Sequence, residues 1–448
     1  MSDVAALVAP SVRWHDEYGY ALAAKELETA RELGCRAALM HGGPLAETRA
    51  LLAGVRAGSP HAWLVAAELG SGAGERFPGA TALPPLAALD AADGEAMRRA
   101  ARLTAREARG AGINCAVAPS CILPGRAPPI VRARTFDAPD QVAAAACAEW
   151  IDACQAEGVV AMPGPYPLMR AAAADAALDA GVGALLLASS HADDAALIAY
   201  LRREAGFDGI IAVPLGALSN ARDEDESVLA VQCIAAGVDL LLGCDDTAEV
   251  VRALRTAEAR GELSGEQVRA ACLRIDARAA WADVSAAGRE PTLDDVLWAR
   301  RAADAAVHVT TPQRGRPPRL RTPVELVIVD DDLPRPDRAG AALREALDTL
   351  GVEMAESTRG TLIVAVFGDR RITLGFDTYS DGARDRVRLA CAAAAQSARD
   401  AIVVHFTPPG FGDAFESCPV VVCAWSGTRA MEEAVARCLS GRAGGLEG

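Results

Sequence analysis

The sequence predicts a two-domain α/β protein, and three observations carry that prediction. The chain is 448 residues long, too long for one ordinary domain. Short, nearly continuous apolar runs alternate with Ala-rich helical windows through residues 1–285. A basic, Pro-rich stretch then separates this region from a second set of apolar runs near the C-terminus.

In the first region the strand candidates are Arg36–His41, Ala62–Ala67, Asn114–Ala118, Val159–Met162, Ala184–Ser189, Ile210–Val213 and Val238–Gly243. Their apolar character is continuous rather than alternating, as expected of parallel strands covered on both faces. Helical windows such as Asp90–Ala111, Ala138–Ala156 and Ala195–Ala205 lie between them. Leu263-Ser264-Gly265-Glu266 marks a helix start with Ser264 as cap, and helices run from there to about Val307. The run Pro312–Arg319 has linker composition. Its arginines read first as a solvated linker and second as a basic patch for a partner. Strands follow at Glu325–Val329, Thr361–Val366, Ala401–Phe406 and Val420–Ala424. The expected boundaries are therefore 1–285 for the first domain, 286–320 for a linker helix and Pro/Arg-rich linker, and 321–448 for an α/β C-terminal domain. The alternation suggests a barrel rather than an open sheet, though periodicity alone does not decide between them.

Composition removes several function classes. A net charge of -15 and a pI near 5.0 oppose nucleic acid and anionic membrane surfaces, both of which call for a basic face. At 51% hydrophobic residues the chain can bury sizeable cores and is not disordered. Only 4% of residues are aromatic, too few for a long polysaccharide groove lined by stacking rings, though a single small site is compatible. The 12 cysteines form no Cys-x-x-Cys pair and read as small buried hydrophobes in a reducing compartment. No uncharged run approaches a membrane span, and the N-terminal apolar run has no basic region before it, so a cytoplasmic protein is expected.

The run Phe207-Asp208-Gly209-Ile210-Ile211-Ala212-Val213-Pro214 resembles the strand of family 3 glycoside hydrolases that opens on a Phe-Asp-Gly turn. Other blocks match that family in order. Glu68 to Thr81, followed by Leu83-Pro84-Pro85, resembles its Asp-x-Glu-x-Gly segment with a downstream Arg and Thr. Gly112–Pro119, Pro129–Phe136 with its Arg-x-Phe, and Ala235–Asp246 resemble further strand blocks, and residues 320–448 resemble its second domain. The blocks resemble in particular the bacterial two-domain β-N-acetylhexosaminidase branch. The resemblance implies a TIM-like (β/α) barrel, with its last strand incomplete, followed by a smaller three-layer α/β sandwich.

It also implies where the chemistry should lie. In this family the strand beginning at Ile210 ends on the Asp that attacks the sugar; here that position is Pro214, which has no carboxylate. The family places a Lys-His-Phe-x-Gly segment after the strand at Val159, and the hexosaminidase branch adds an Asp-x-His acid/base loop. This chain has Pro163-Gly164 and then proceeds to a helix, with no Lys, His or Asp-x-His. The segment after His191 is also short. A retaining mechanism needs both a nucleophile and an acid/base, so ordinary retaining hydrolysis is expected to be lost.

Four residues remain as substrate-binding candidates implied by the resemblance: Glu68, Arg76, Arg134 and His191. For each there is a second reading: Glu68 ion-paired to Arg76 or to Arg134, and His191 a satisfied structural histidine. Cys121 lacks a His at readable spacing and is a weak nucleophile candidate. Asp223-Glu224-Asp225-Glu226 reads as a charged helix start and second as a source of a displaced carboxylate. Asp245-Asp246 and Asp330-Asp331-Asp332 read as strand-end turns rather than metal sites. No cofactor and no metal are expected. The expected function is binding of a small sugar or aminosugar, or service as a partner of an active paralogue or within a homo-oligomer. The rival expectation is an active glycosidase with relocated carboxylates, of β-N-acetylhexosaminidase or β-glucosidase type.

Overall fold

The structure, a computed structural model, describes residues 3–89, 93–120, 138–165, 169, 171–187, 192–282, 291–310, 319–331, 339–356, 359–368 and 378–442. The chain splits into two compact units, one of Met1–Thr81, Ala91–Leu123 and Ala138–Pro291, the other of Ala82–Asp90, Pro124–Asp137 and Thr292–Gly448.

The first unit is a parallel sheet of eight strands. They are β1 (Val8–Val12), β2 (Ala37–Met40), β3 (Leu64–Glu68), β4 (Cys115–Val117), β5 (Val160–Ala161), β6 (Ala184–Leu186), β7 (Ile210–Pro214) and β8 (Leu240–Cys244). Their order is β5-β4-β3-β2-β1-β8-β7-β6. The two end strands meet where Leu186 N donates to Pro163 O at 3.0 Å, so the sheet is a nearly closed barrel. The strands are almost wholly buried because their apolar runs face both the barrel interior and a surrounding layer of helices. Those helices are α1 (Ala21–Leu33), α2 (Leu45–Ala57), α3 (Gly94–Ala111), α4 (Asp140–Ala156), α5 (Ala171–Asp179), α6 (Ala192–Arg203), α7 (Leu215–Arg222), α8 (Glu226–Ala236), α9 (Thr247–Ala259) and α10 (Gly265–Trp281). Ser264 caps α10 as its sequence predicts, accepting from Gln267 N at 3.4 Å.

One strand was not expected. Val8-Ala9-Pro10-Ser11-Val12 is buried throughout and lies in the middle of the sheet, between β2 and β8. Pro10 cannot donate to a ladder, and the register against β8 shifts between Ala9 and Pro10. A bulge is where a central strand tolerates proline. The barrel therefore has its eight strands and is not missing its last one.

The seam between β5 and β6 depends on Gly164. A Cβ there would lie 2.7 Å from both Leu186 Cβ and Leu186 O. Gly164→Ala is expected to cost about 1–3 kcal/mol through overpacking. The check is a lower urea midpoint with an unchanged slope.

The second unit holds a five-stranded sheet of β9 (His308–Val309), β10 (Val324–Asp330), β11 (Thr361–Phe367), β12 (Asp400–Phe406) and β13 (Val421–Cys423), in the order β10-β11-β12-β13-β9. All neighbours are parallel except the short edge strand β9. Side chains alternate between two cores. On one face Ile363, Phe367 and Phe406 pack with Ala303, Leu343, Leu347 and Met431, which come from α11 (Leu293–Ala306), α12 (Ala341–Thr349) and α14 (Arg429–Leu439). On the other, Val364 and Val366 pack with Val387 of α13 (Asp381–Gln396) and with Phe411 and Phe415 of the 3-10 helix Pro409–Phe415. The sheet is covered on both faces, which makes three layers. Within the stretch read from sequence as a linker, Leu293–Ala306 forms a helix packed on this sheet and His308–Val309 its edge strand. The run Pro312–Pro318 lies outside the described residues.

Candidate functional site

Parallel strands bring all their carboxyl ends to one face of the barrel, the face where reactive groups of this architecture gather. Described polar side chains on that face stand at or just past the ends of β1, β2, β3 and β8, and on α8. Glu68 ends β3, and Arg76 follows the short turn Ala73–Glu75; their ion pair measures 2.5 Å, with Glu68 about half exposed at 52%. The ion-pair reading of Glu68 is thus realised, with its carboxylate still open to solvent. The loop bearing Arg76 is anchored at Thr81, whose N and Oγ1 donate to the Glu107 carboxylate at 2.8 and 2.7 Å. Arg134 and His191 lie outside the described residues, as do Cys121 and the Pro129–Phe136 block.

Next to this pair stands a group of which the sequence reading singled out only Asp245. Arg13, just past β1, reaches Asp245, just past β8, at 3.3 Å across an exposed rim. Ser11 Oγ and His41 Nε2 are 3.1 Å apart, and Arg13 donates to Ser11 Oγ at 3.4 Å. Burial chiefly, and then the charge of Arg13, push the His41 imidazole down to about 4, while Glu68 and Asp245 pull the other way. His41 is therefore neutral near pH 7. A serine beside a histidine has the outline of a nucleophile and its base, but a base this weak does not activate a hydroxyl at neutral pH. His41 could have been found from sequence, since it closes the strand candidate Arg36–His41. Ser11 and Arg13 depended on recognising β1.

Pro214 ends β7, its backbone in register with Leu242 of β8, and occupies the cap position of α7. Met162 and Leu215, at the ends of β5 and β7, are fully buried.

The acidic run after β7 has structural work. Asp225 caps α8, accepting from Ser227 N at 2.8 Å and from Val228 N at 3.3 Å. Glu226 accepts from Asp245 N and Asp246 N at 3.0 to 3.1 Å, tying the turn after β8 to α8. Burial raises its carboxyl above the ordinary range, against those backbone bonds. Asp246 caps α9 through Glu249 N at 3.0 Å, and Asp331 accepts from Ser380 N at 2.7 Å. Among the described residues no group of three or more His, Cys, Asp or Glu is placed to hold a metal ion, and no helix is long and apolar enough to cross a membrane.

The fold is that of family 3 glycoside hydrolases. A β-N-acetylglucosaminidase of this family from a Paenibacillus species is similar over 98% of this chain and 96% of its own, with TM-score 0.76 and 20% identity. A β-glucoside phosphorylase bound to 2FGlc aligns over 98% of this chain and 92% of its own, with TM-score 0.79 and 14% identity. A β-glucosidase from Listeria innocua in complex with glucose covers 98% of this chain and 73% of its own, with TM-score 0.69 and 15% identity. Comparisons with protein-family models and with curated protein sequences find no match.

Proposed function

We propose that this chain is a degenerate family 3 glycoside hydrolase that binds a small sugar or aminosugar at the barrel mouth without ordinary retaining hydrolysis. The observation that carries this reading is Pro214 at the end of β7, a strand end with no carboxylate to attack an anomeric carbon. The carboxylates described on the same face already have partners. Glu68 is paired to Arg76, Asp245 to Arg13, and Glu226 to two backbone N–H groups. The half-exposed Glu68 and Arg76 present an acceptor and a donor side by side, the arrangement that takes two neighbouring hydroxyls. Solved structures of the same fold are named as glycosidases and a glycoside phosphorylase, which supports a sugar as the ligand class.

The test is calorimetric titration and thermal shift with N-acetylglucosamine and with glucose. A sugar at a hundredfold excess over its dissociation constant should stabilise the fold by about 2.7 kcal/mol. Glu68→Ala should abolish that shift while leaving the unliganded midpoint within about 1 kcal/mol, because the lost ion pair is exposed. No binding of either sugar would end this reading and leave a role as partner of an active paralogue.

A further inference from the structure

The amino ends of the barrel strands, opposite the face that carries Glu68, enclose a hollow of different chemistry. Where β3 and β4 begin lies a cavity of about 470 Å³. It is lined by Arg49 and Arg56 of α2, Arg109 of α3, His61 and Trp63 just ahead of β3, and Asn114 just ahead of β4. Among the described residues no Asp or Glu lines it, although the whole chain carries a net charge of -15. Three guanidinium groups around one hollow, with no acid among them, stand out on so acidic a protein.

The cluster is built by spacing and then fixed by hydrogen bonds. Arg49, Ala53 and Arg56 stand four and three residues apart, so they share one face of α2, and the small Ala53 leaves room between the two long side chains. Arg49 Nε donates to Gly110 O at 2.7 Å, Arg56 donates to Gly112 O, and Arg109 Nη1 donates to Glu157 O and Gly158 O, each at 3.1 Å. Gly112, the left-handed cap of α3 with φ 91°, permits this approach, because a Cβ there would lie 2.6 Å from Arg56 Nη1. Asn114, 1% exposed, holds the floor: its Nδ2 donates to Trp63 O at 2.9 Å and to Ala282 O at 3.1 Å, and its Oδ1 accepts from Val65 N at 2.7 Å. Trp63 is equally buried, and its Nε1–H has no acceptor among the described residues, an unsatisfied donor in the cavity wall. Satisfying helix-end carbonyls calls for a donor at each helix end, not for three cations gathered round one cavity. Arg49 in particular is exposed and has no carboxylate partner among the described residues.

We propose that this cavity is a binding site for a phosphoryl group, either free phosphate or the monoester of a small molecule. A planar guanidinium matches two phosphate oxygens at once, and its bonds to backbone carbonyls hold it in place before the ligand arrives. Three such cations favour a dianion over the single charge of a carboxylate. The volume lies within the roughly 300–1,000 Å³ of small-molecule sites, so an ester group also has room. A ligand here sits at the opposite end of the strands from Glu68 and Arg76 and does not compete with one held by that pair.

Purified full-length protein is titrated calorimetrically with inorganic phosphate, glycerol 3-phosphate and glycerol, in buffer of constant ionic strength near about 0.15 M, where attraction to a merely exposed patch is screened. Both phosphates should bind at one site with dissociation constants of about 1 mM or below, and glycerol should not bind. An ester held about tenfold more tightly than inorganic phosphate assigns the site to a monoester, and equal affinity assigns it to free phosphate. Arg49→Gln should weaken binding at least about tenfold with an unchanged circular dichroism spectrum. The position is read on the wild-type protein by arginine modification with p-hydroxyphenylglyoxal and peptide mass mapping. Saturating phosphate should slow modification of Arg49 several-fold and leave Arg13, on the rim of the opposite face, unaffected. Absence of saturable binding, affinity unchanged in Arg49→Gln, or protection of Arg13 equal to that of Arg49 would each overturn the proposal. The wild-type footprint decides the matter even if the variant fails to fold. Neither phosphate is a sugar, so the result stands apart from the sugar-binding reading.

Discussion

Aryl β-glucosides and aryl N-acetyl-β-glucosaminides incubated with the purified protein will release their phenol no faster than in buffer. A retaining site works by two carboxyl groups roughly 5 to 5.5 Å apart, one attacking and one protonating the leaving oxygen. β7 ends on Pro214, which offers no carboxylate, and on our proposal this is the nucleophile's position; lack of a catalytic nucleophile lowers turnover by several orders of magnitude. Substitution of Pro214 by Asp should not restore hydrolysis, because the sequence between β5 and α5, residues 162–170, carries no Asp, Glu or His to serve as the acid partner. A burst of phenol from Pro214→Asp would reveal an acid partner and overturn that half of the expectation. Wild-type turnover above buffer would overturn the first half. If that turnover vanished in Glu226→Gln, the reading with relocated carboxylates would replace ours, since Glu226 is the described carboxyl on this face held above its ordinary range by burial.

Asp239→Ala is expected to destabilise the first unit by about 3–5 kcal/mol, a large share of a typical domain's stability. Asp239 is 1% exposed and sits just ahead of β8. Its carboxylate accepts from Ile211 N of β7 at 2.7 Å, from Arg274 of α10 at 2.9 Å, and from Arg202 of α6. Arg202 in turn donates to Phe207 O at 2.7 Å and Gly209 O at 2.8 Å, fixing the turn into β7. Removing the acid leaves Arg202 largely buried beside a second guanidinium without its ion-pair partner, which is the costly way to break such a cluster. Chemical denaturation followed by circular dichroism measures the loss. A change below about 1 kcal/mol would show that water or side-chain movement compensates.

These examples also mark what could be read in the residues beforehand. The strands from β2 to β8 were legible because strands buried on both faces are apolar along their length. β1 was not, because Pro10 and Ser11 interrupt the apolar run and a proline argues against a central strand until the bulge beside it is known. β9 escaped because two residues of an antiparallel edge carry no periodic signal. At the mouth, the placing of Glu68 and Pro214 at strand ends was legible by position. The Ser11–His41–Arg13–Asp245 group was not, because its members lie far apart in sequence and meet only once β1 is set between β2 and β8. Asp239 shows the same limit: its strand was evident, its two arginine partners were not.

The position of β1 between β2 and β8 has a consequence for the birth of the molecule. Val8 lies opposite Leu241 and Ala9 opposite Leu242, so one flank of the first strand waits for the last strand of the barrel. At about 5–20 residues per second, a ribosome needs on the order of tens of seconds to make that partner. Throughout this interval β1 can settle against β2, but its other edge offers unpaired amides and apolar side chains to any neighbouring nascent chain. The register of β1 against β8 shifts between Ala9 and Pro10, and a strand with such an irregularity is a poorer template for foreign pairing. The proline that hid the strand from view thus marks the irregularity that guards it while the barrel is still open.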